Sequence, residues 1–397
     1  MKKSTIDWAP FIPKEWEEKR IKDIAHLQSG DGITSDDIDE IGLYPVYGGN
    51  GLRGYTDTYT NDGSYVLIGR QGALCGNINY AKNKFYASEH AVVVYPYCKE
   101  ENTTWLGETL RAANLNRLSA SAAQPGLAVG ALNYVMIPYP PKSQRERIGK
   151  YLEEKIPLID TKVELLEKKK DAYARLKKAM INHVVTRGLD EHVKLKDTGV
   201  EWIGMIPEHW EVKRFKEVAK TIKGKQCDYF DEKEKNMEVV LTVETLRQDT
   251  PAFFNYGIVE DKSQLCDEND MVVIWDGAGV GEFLKAKKGI LSSTIAKIDV
   301  DEKKVLKPYL WQWRYQIEYR LKSVPTGMGI PHLNPTLLNN YAIPVPPLSE
   351  QQIIATCLNE KCTKIDAAIT NIDKQTDALR RLKRSLINEV ITGQRAV

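Results

Sequence analysis

Nowhere does this chain hold the ~18 consecutive apolar residues that a membrane helix needs, so no membrane span is expected. Its first residues, MKKSTIDWAPFIPKEW, carry two lysines with no apolar run behind them, which does not fit a secretory signal. Cysteine is scarce. Cys75, Cys98, Cys227, Cys266, Cys357 and Cys362 form no C-x-x-C pair, and this argues against a zinc cage and for reduced thiols in a cytoplasmic protein. Catalytic signatures are missing as well. The glycine-rich stretches GRQGALCG (69–76) and DGAGVGEFLK (276–285) lack the G-K-[ST] ending that sets a lysine on phosphates, so both read as tight turns. There is no [DN]-P-P-[YF] of an adenine methyltransferase, and NPTL at Asn334 is not one. The six histidines form neither H-E-x-x-H nor part of a nucleophile elbow. No constellation for catalysis emerges.

Net charge is also small, +2 over 397 residues, but it is unevenly spread. Residues 161–183 hold seven Lys/Arg against three Asp/Glu, and residues 367–395 hold six against three. These two segments contribute +7, leaving −5 for the rest. Matching basic segments fit either solvated helix faces or contacts to an acidic partner. The length calls for more than one domain, and 42% hydrophobic residues are enough for real cores.

What the chain has in abundance is itself, twice. WAPFIPKEWEEKRIKDIAHLQSG (8–30) returns 194 positions later as WIGMIPEHWEVKRFKEVAKTIKG (202–224). Trp8, Pro13, Trp16, Arg20 and Gly30 match Trp202, Pro207, Trp210, Arg214 and Gly224. A second repeat, starting at Pro140 and Pro346, holds without a gap to Thr186 and Thr392 with 19 identities in 47 positions. Each half therefore runs from a Trp/Pro opening motif, through a variable globule, to Pro-Pro and a helix. The four tryptophans of the opening motifs are expected to be packing anchors, since a residue that reads sequence should differ between the halves.

The variable regions share pattern rather than letters. SYVLIGRQGALCG (64–76) and DMVVIWDGAGVGE (270–282) are each a β-branched run followed by a glycine-rich turn. KFYASEHAVVVYP and GILSSTIAKIDV read as strands, and short helices are expected near WLGETLRAANL and YLWQWRYQIEYRL. Behind each Pro-Pro, apolar residues recur with spacings of three and four dominating: Ile148, Leu152, Ile156, Ile159, Val163, Leu166, Tyr173, Leu176, Met180 and Val184, and again Ile354, Leu358, Cys362, Ile365, Ile369, Ile372, Leu379, Leu382, Leu386 and Val390. Ser143 and Ser349 are the expected N-caps, Lys170 and Thr376 interrupt the seams at equivalent places, and Pro157 is expected to kink or break the first helix. The same seam twice in one chain predicts that the two helices pack on each other.

Polar, aromatic and basic residues on the expected loops are candidate DNA contacts: Tyr47, Asn50, Arg53, Arg70, Gln71 and Gln124 in the first half, and Lys225, Gln226, Arg247, Lys285, Lys287, Lys322, Thr326 and His332 in the second. Each alone is also what an ordinary surface residue looks like. The basic stretches around Lys168–Lys170, Lys177–Lys178 and Arg380–Arg384 are candidates for phosphate or partner contact.

On these residues the chain resembles the specificity subunits of type I restriction–modification enzymes. TRGLDEHVKLKDTGVEWIGMIPEHWE (186–211) is similar to the family's junction into its second target-recognition domain, and IPVPPLSEQQ (343–352) to its junction into the conserved helix. YPVYGGNGLRGY (44–55) and LIGRQGALCG look like common recognition elements, whereas IPYPPKSQRER departs from the PPLxEQ form. The resemblance covers nearly the whole chain. It implies an α+β fold of two strand-rich target-recognition domains, 1–142 and, with its linker, 188–347, separated by two long antiparallel helices, 143–187 and 348–397, that form a coiled coil. It further implies a non-catalytic subunit that binds no cofactor. Each domain would read one half of an asymmetric site on double-stranded DNA, with the helices setting the spacer. Two modification subunits would carry S-adenosylmethionine and methylate adenine, and restriction subunits would translocate and cut. The other class left open is a coiled-coil scaffold whose globules bind protein or glycan.

Overall fold

The computed structural model describes residues 1–72, 74–98, 100–119, 126–248, 254–323 and 331–397. Four helices of ten residues or more stand out among them: α1 (Thr103–Ala112), α2 (Lys142–Arg187), α3 (Lys307–Ser323) and α4 (Leu348–Ile391). Among the described residues no helix is long and apolar enough to cross a membrane. The chain divides into two units. The first is Met1–Lys168 with Ile372–Val397, and the second is Lys169–Asn371, so each unit owns part of both long helices.

In the first unit, strands Ala25–Ser29, Ala91–Pro96, Tyr65–Gly69 and Ile78–Ala81 form an antiparallel sheet in that order. A second sheet runs Gly51–Thr56, Tyr44–Gly48, Lys84–Ala87, Asn61–Asp62, with Tyr44–Gly48 and Lys84–Ala87 parallel. Alternate side chains of a strand face opposite ways. Val66, Ile68, Val92 and Val94 join Trp105, Leu106 and Leu110 of α1 in one core, while Leu67 and Val93 join Phe85 in another. Burial on both faces is why these strands read as unbroken apolar runs.

The second unit repeats the plan. Its sheets are ordered Ala219–Lys223, Ile295–Val300, Met271–Ile274, Phe283–Lys285, and Tyr256–Ile258, Met237–Leu241, Gly289–Leu291, Leu265–Cys266, with one parallel pair in the second. Met271 and Val273 face the α3 core of Tyr309, Leu310 and Trp313, and Val272 faces Leu241 and Leu291. The repeated glycines have one cause. A Cβ on Gly30 would lie 2.1 Å from the Ala87 carbonyl oxygen, and one on Gly224 would lie 2.0 Å from that of Ser292.

Within each unit the two long helices run antiparallel. In the first, Ile148 and Leu152 of α2 share a core with Leu386, Ile387, Val390 and Ile391 of α4. In the second, Ile354 and Leu358 of α4 share one with Ile181, Val184 and Val185 of α2. Identical repeat residues make matching ion pairs: Lys383 with Asp160 in the first unit and Lys177 with Asp366 in the second, each at 2.7 Å. Arg380 adds a 2.6 Å pair with Glu167, and Lys168 pairs with Glu164 one turn away. Several of the basic side chains expected to meet DNA or a partner are thus engaged along the helices.

Pro157 does not break α2, which continues through it at the cost of a ladder bond. Two expectations are corrected. The helices start at Lys142 and Leu348, so Ser143 and Ser349 lie inside the first turn. The turn opens on the Pro141 and Pro347 carbonyls, which accept from Gln144 N and Glu350 N at 2.9 Å. Trp202 is 44% exposed, resting on the Tyr341 ring, whereas Trp16 and Trp210 are fully packed and Trp8 is half-buried.

The sealed tryptophans tie the two repeats together. Trp16 Nε1 donates to Gln144 Oε1 at 2.7 Å, and Trp210 Nε1 to Glu350 Oε2 at 3.1 Å. Gln144 and Glu350 are equivalent first-turn positions of the long helices. The next position differs. Gln351 is buried, donating to the carbonyls of Pro346 and Lys304 and accepting from Leu306 N. Its counterpart Arg145 reaches the equivalent Pro140 carbonyl and adds a buried ion pair to Glu101 at 2.7 Å, with its guanidinium 4.0 Å from the Tyr139 ring centre. One of the five differences between KSQRER and LSEQQI is therefore a glutamine-to-arginine exchange whose extra charge is met by Glu101.

Candidate nucleic-acid interface

In the first unit the glycine-rich elements converge. The Gly48–Asn50 turn joins two strands of the parallel-containing sheet, and Gly49 sits against the backbone of Gln71 and His90. A Cβ on Gly69 would lie 2.0 Å from the Gly49 carbonyl, so only glycine permits this crossing. Asn50 Oδ1 accepts from Asn77 Nδ2 at 3.4 Å, and the Arg53 stem lies along Gly48. Arg70 donates to Ser29 Oγ at 3.0 Å and to the Leu127 carbonyl at 3.3 Å, while Gln71 is exposed and bridges to Gly126. Asn50, Arg53, Arg70 and Gln71 are thus gathered on one rim. Tyr47 is half-buried, edge-on to Phe85, and burial raises its hydroxyl pKa. Gln124 lies outside the described residues.

The second unit splits its candidates among three places. Lys225 and Gln226 border a cavity of about 360 Å³, with Lys225 3.3 Å from Asp261. Lys285 and Lys322 meet at α3: Lys285 lies over the Trp311 ring of that helix, and Lys322, in its last turn, is 3.9 Å from Glu318, whose carboxyl pKa is raised by burial. Arg247 pairs with Glu282 at 2.5 Å on a cleft of about 710 Å³, and Lys287 donates to the Gln248 carbonyl close by. His332 Nδ1 lies 2.6 Å from Asp276, which lines the same cleft. Thr326 lies outside the described residues.

Asp276, Lys223 and Trp275 escaped sequence reasoning. Lys223 Nζ is 2.9 Å from Asp276 and 5.7 Å from the Trp275 ring centre. Burial opposes ionisation of Asp276, but the bonds from His332 and Lys223 outweigh it and hold the carboxyl below the usual carboxylate range. The signal that would have found this group is Gly224: Lys223 precedes it as Ser29 precedes Gly30. Among the described residues no cluster of His, Cys, Asp or Glu is placed to hold a metal ion. Instead, the first unit gathers amides and cations on one rim and the second spreads its cations and polar groups over three places, groups of a kind that pairs with phosphates and base edges.

Comparison with known proteins accords with this geometry. The family described as the type I restriction modification DNA specificity domain matches twice, at residues 13–172 and 207–377. The EcoprrI specificity subunit of Escherichia coli is 37% identical over 165 residues, 41% of this chain. The MjaVIII specificity subunit of Methanocaldococcus jannaschii is 36% identical over 188 residues, 47% of this chain. In these matches the chain spans only 41% and 43% of the relatives' length. A solved structure concerned with complex assembly and conformational transition of the type I R-M system covers 97% of this chain and 99% of its own, with a TM-score of 0.72 at 15% identity, a likeness of fold. Two matches that together cover most of the sequence place this chain in the type I restriction modification DNA specificity family.

Proposed function

We propose that this chain is the DNA-reading subunit of a type I restriction–modification enzyme, each unit reading one half of an asymmetric two-part site. The observation that carries the reading is the pair of units with one topology and one packing frame but different side chains on the loop rims. Shared frame residues such as Trp16/Trp210 and Gly30/Gly224 hold the fold, and rim residues such as Gln71 and His332 differ and so can read different bases. Cations on the rims position the backbone, and amide and acidic groups meet base edges in the major groove. Methylating a base within a duplex requires extruding it. In this proposal two modification subunits, holding S-adenosylmethionine, do so while this chain grips the flanks. The paired helices dock those subunits and set the spacer between half-sites, restriction subunits join the assembly, and the complex works in the cytoplasm.

A gel shift on a pool of duplex DNA, with the modification subunits present, is the direct test. Retention of a sequence-enriched fraction, weakening steeply as salt rises, is expected. Failure to retain any duplex would return the chain to the scaffold reading.

A further inference from the structure

We infer that Asp276 is a base-reading residue of the second unit, occupying the place that Gln71 holds in the first. The inference rests on the DNA-reading function proposed above and names the atoms that would perform part of it.

The two glycine-rich turns share a set of backbone hydrogen bonds. Gly76 N donates to Gly69 O, and Gly281 N to Ile274 O; Cys75 N donates to Gly72 O, and Val280 N to Gly277 O. Leu127 N donates to Arg70 O, and Leu333 N to Trp275 O. The bridges that close the turns are Gln71 with Gly126 and Asp276 with His332. By this frame Gln71 is equivalent to Asp276, Arg70 to Trp275 and Ser29 to Lys223.

The frame is kept while the chemistry on it changes. Each unit places one cation beside the position, but from opposite sides. Arg70 reaches across to Ser29 in the first unit, and Lys223 reaches across to Trp275 and Asp276 in the second. A cation there suits a phosphate in either case. The central side chain, in contrast, changes its hydrogen-bonding type. Glutamine both donates and accepts, which suits the N6/N7 edge of adenine, whereas a carboxylate only accepts, which suits the N4 amine of cytosine. An acid on a DNA-facing rim is repelled by phosphates unless its charge is met. Lys223 meets it, joined by His332 when that ring is protonated. Asp276 also lines the cleft with Thr242, Arg247 and Asn255, so its carboxylate borders open space.

The test uses the full chain with its modification subunits and a set of duplexes: the native site and every single-pair change in both half-sites. Asp276→Asn should lower affinity for the native duplex about 10- to 100-fold. It should restore binding on one duplex only, with a cytosine of the second unit's half-site replaced by adenine. Uniform loss on every duplex, or no loss on any, would overturn the assignment, since a structural or phosphate-positioning role gives the first and no role gives the second. If Asp276→Asn fails to fold, Gln71→Asp carries the test, with the preference expected to move from adenine to cytosine in the other half-site. A native complex with no selectivity among the duplexes would overturn the DNA-reading function itself. A selective native complex with an indifferent Asp276 would overturn this inference alone.

Discussion

Replacing Glu101 with alanine is expected to destabilise the first unit by about 3–5 kcal/mol, because it leaves the Arg145 charge buried without its partner. Both side chains are about 5% exposed, and Arg145 is enclosed by the Trp105 and Tyr139 rings. The second unit supplies the remedy. At the position of Arg145 it carries Gln351, a neutral side chain satisfied by backbone groups alone. Adding Arg145→Gln to Glu101→Ala should therefore recover a large part of the loss, since no charge is then left in the core. Denaturant unfolding with amide hydrogen exchange reads the effect and assigns it to a unit, which a single midpoint for a two-unit chain does not. A cost below about 1 kcal/mol for Glu101→Ala, as for an exposed pair, would contradict this account.

Trp210→Ala should have a comparable effect in the second unit, about 3–5 kcal/mol for emptying a fully packed indole site. Trp210 has no exposed surface and donates to Glu350 in the first turn of α4, so the change removes both core volume and the tie between opening motif and helix. Trp210→Phe keeps most of the volume and loses the tie, and should cost clearly less. Exchange protection of Phe215, Tyr309 and Ile354, which share this core, should fall most in the alanine variant. Equal effects of alanine and phenylalanine would show that the hydrogen bond, not the packing, holds the site.

Much of this was legible in the sequence because the chain is its own alignment. The repeat located the opening motifs, the glycines that cross close to another strand, and the helices whose identities turned out to be core residues and reciprocal ion pairs. The runs VLIG and MVVIW showed their strands directly, since burial on both faces leaves no polar alternation. Other features were hidden by physics that spans distance. The parallel pairing of Tyr44–Gly48 with Lys84–Ala87 joins segments far apart in sequence, and no local pattern encodes it. The rim equivalence was obscured by one residue. Letter against letter, Arg70 falls on Asp276, whereas the hydrogen bonds set Gln71 there, because the turn frame follows the backbone and not the apolar run. Lys223 lay outside the expected loops, on a strand end, and Trp202 looked like its three fellow tryptophans until its surroundings were seen.

The central claim, that two independent readers share one chain, is tested most directly by mapping methylated adenines across a host genome with residues 14–139 exchanged for the same region of another family member. The account predicts a two-part motif in which one half-site changes while the other half-site and the spacer stay as in the native map. A motif changed in both halves, or methylation that persists with neither half changed, would contradict it.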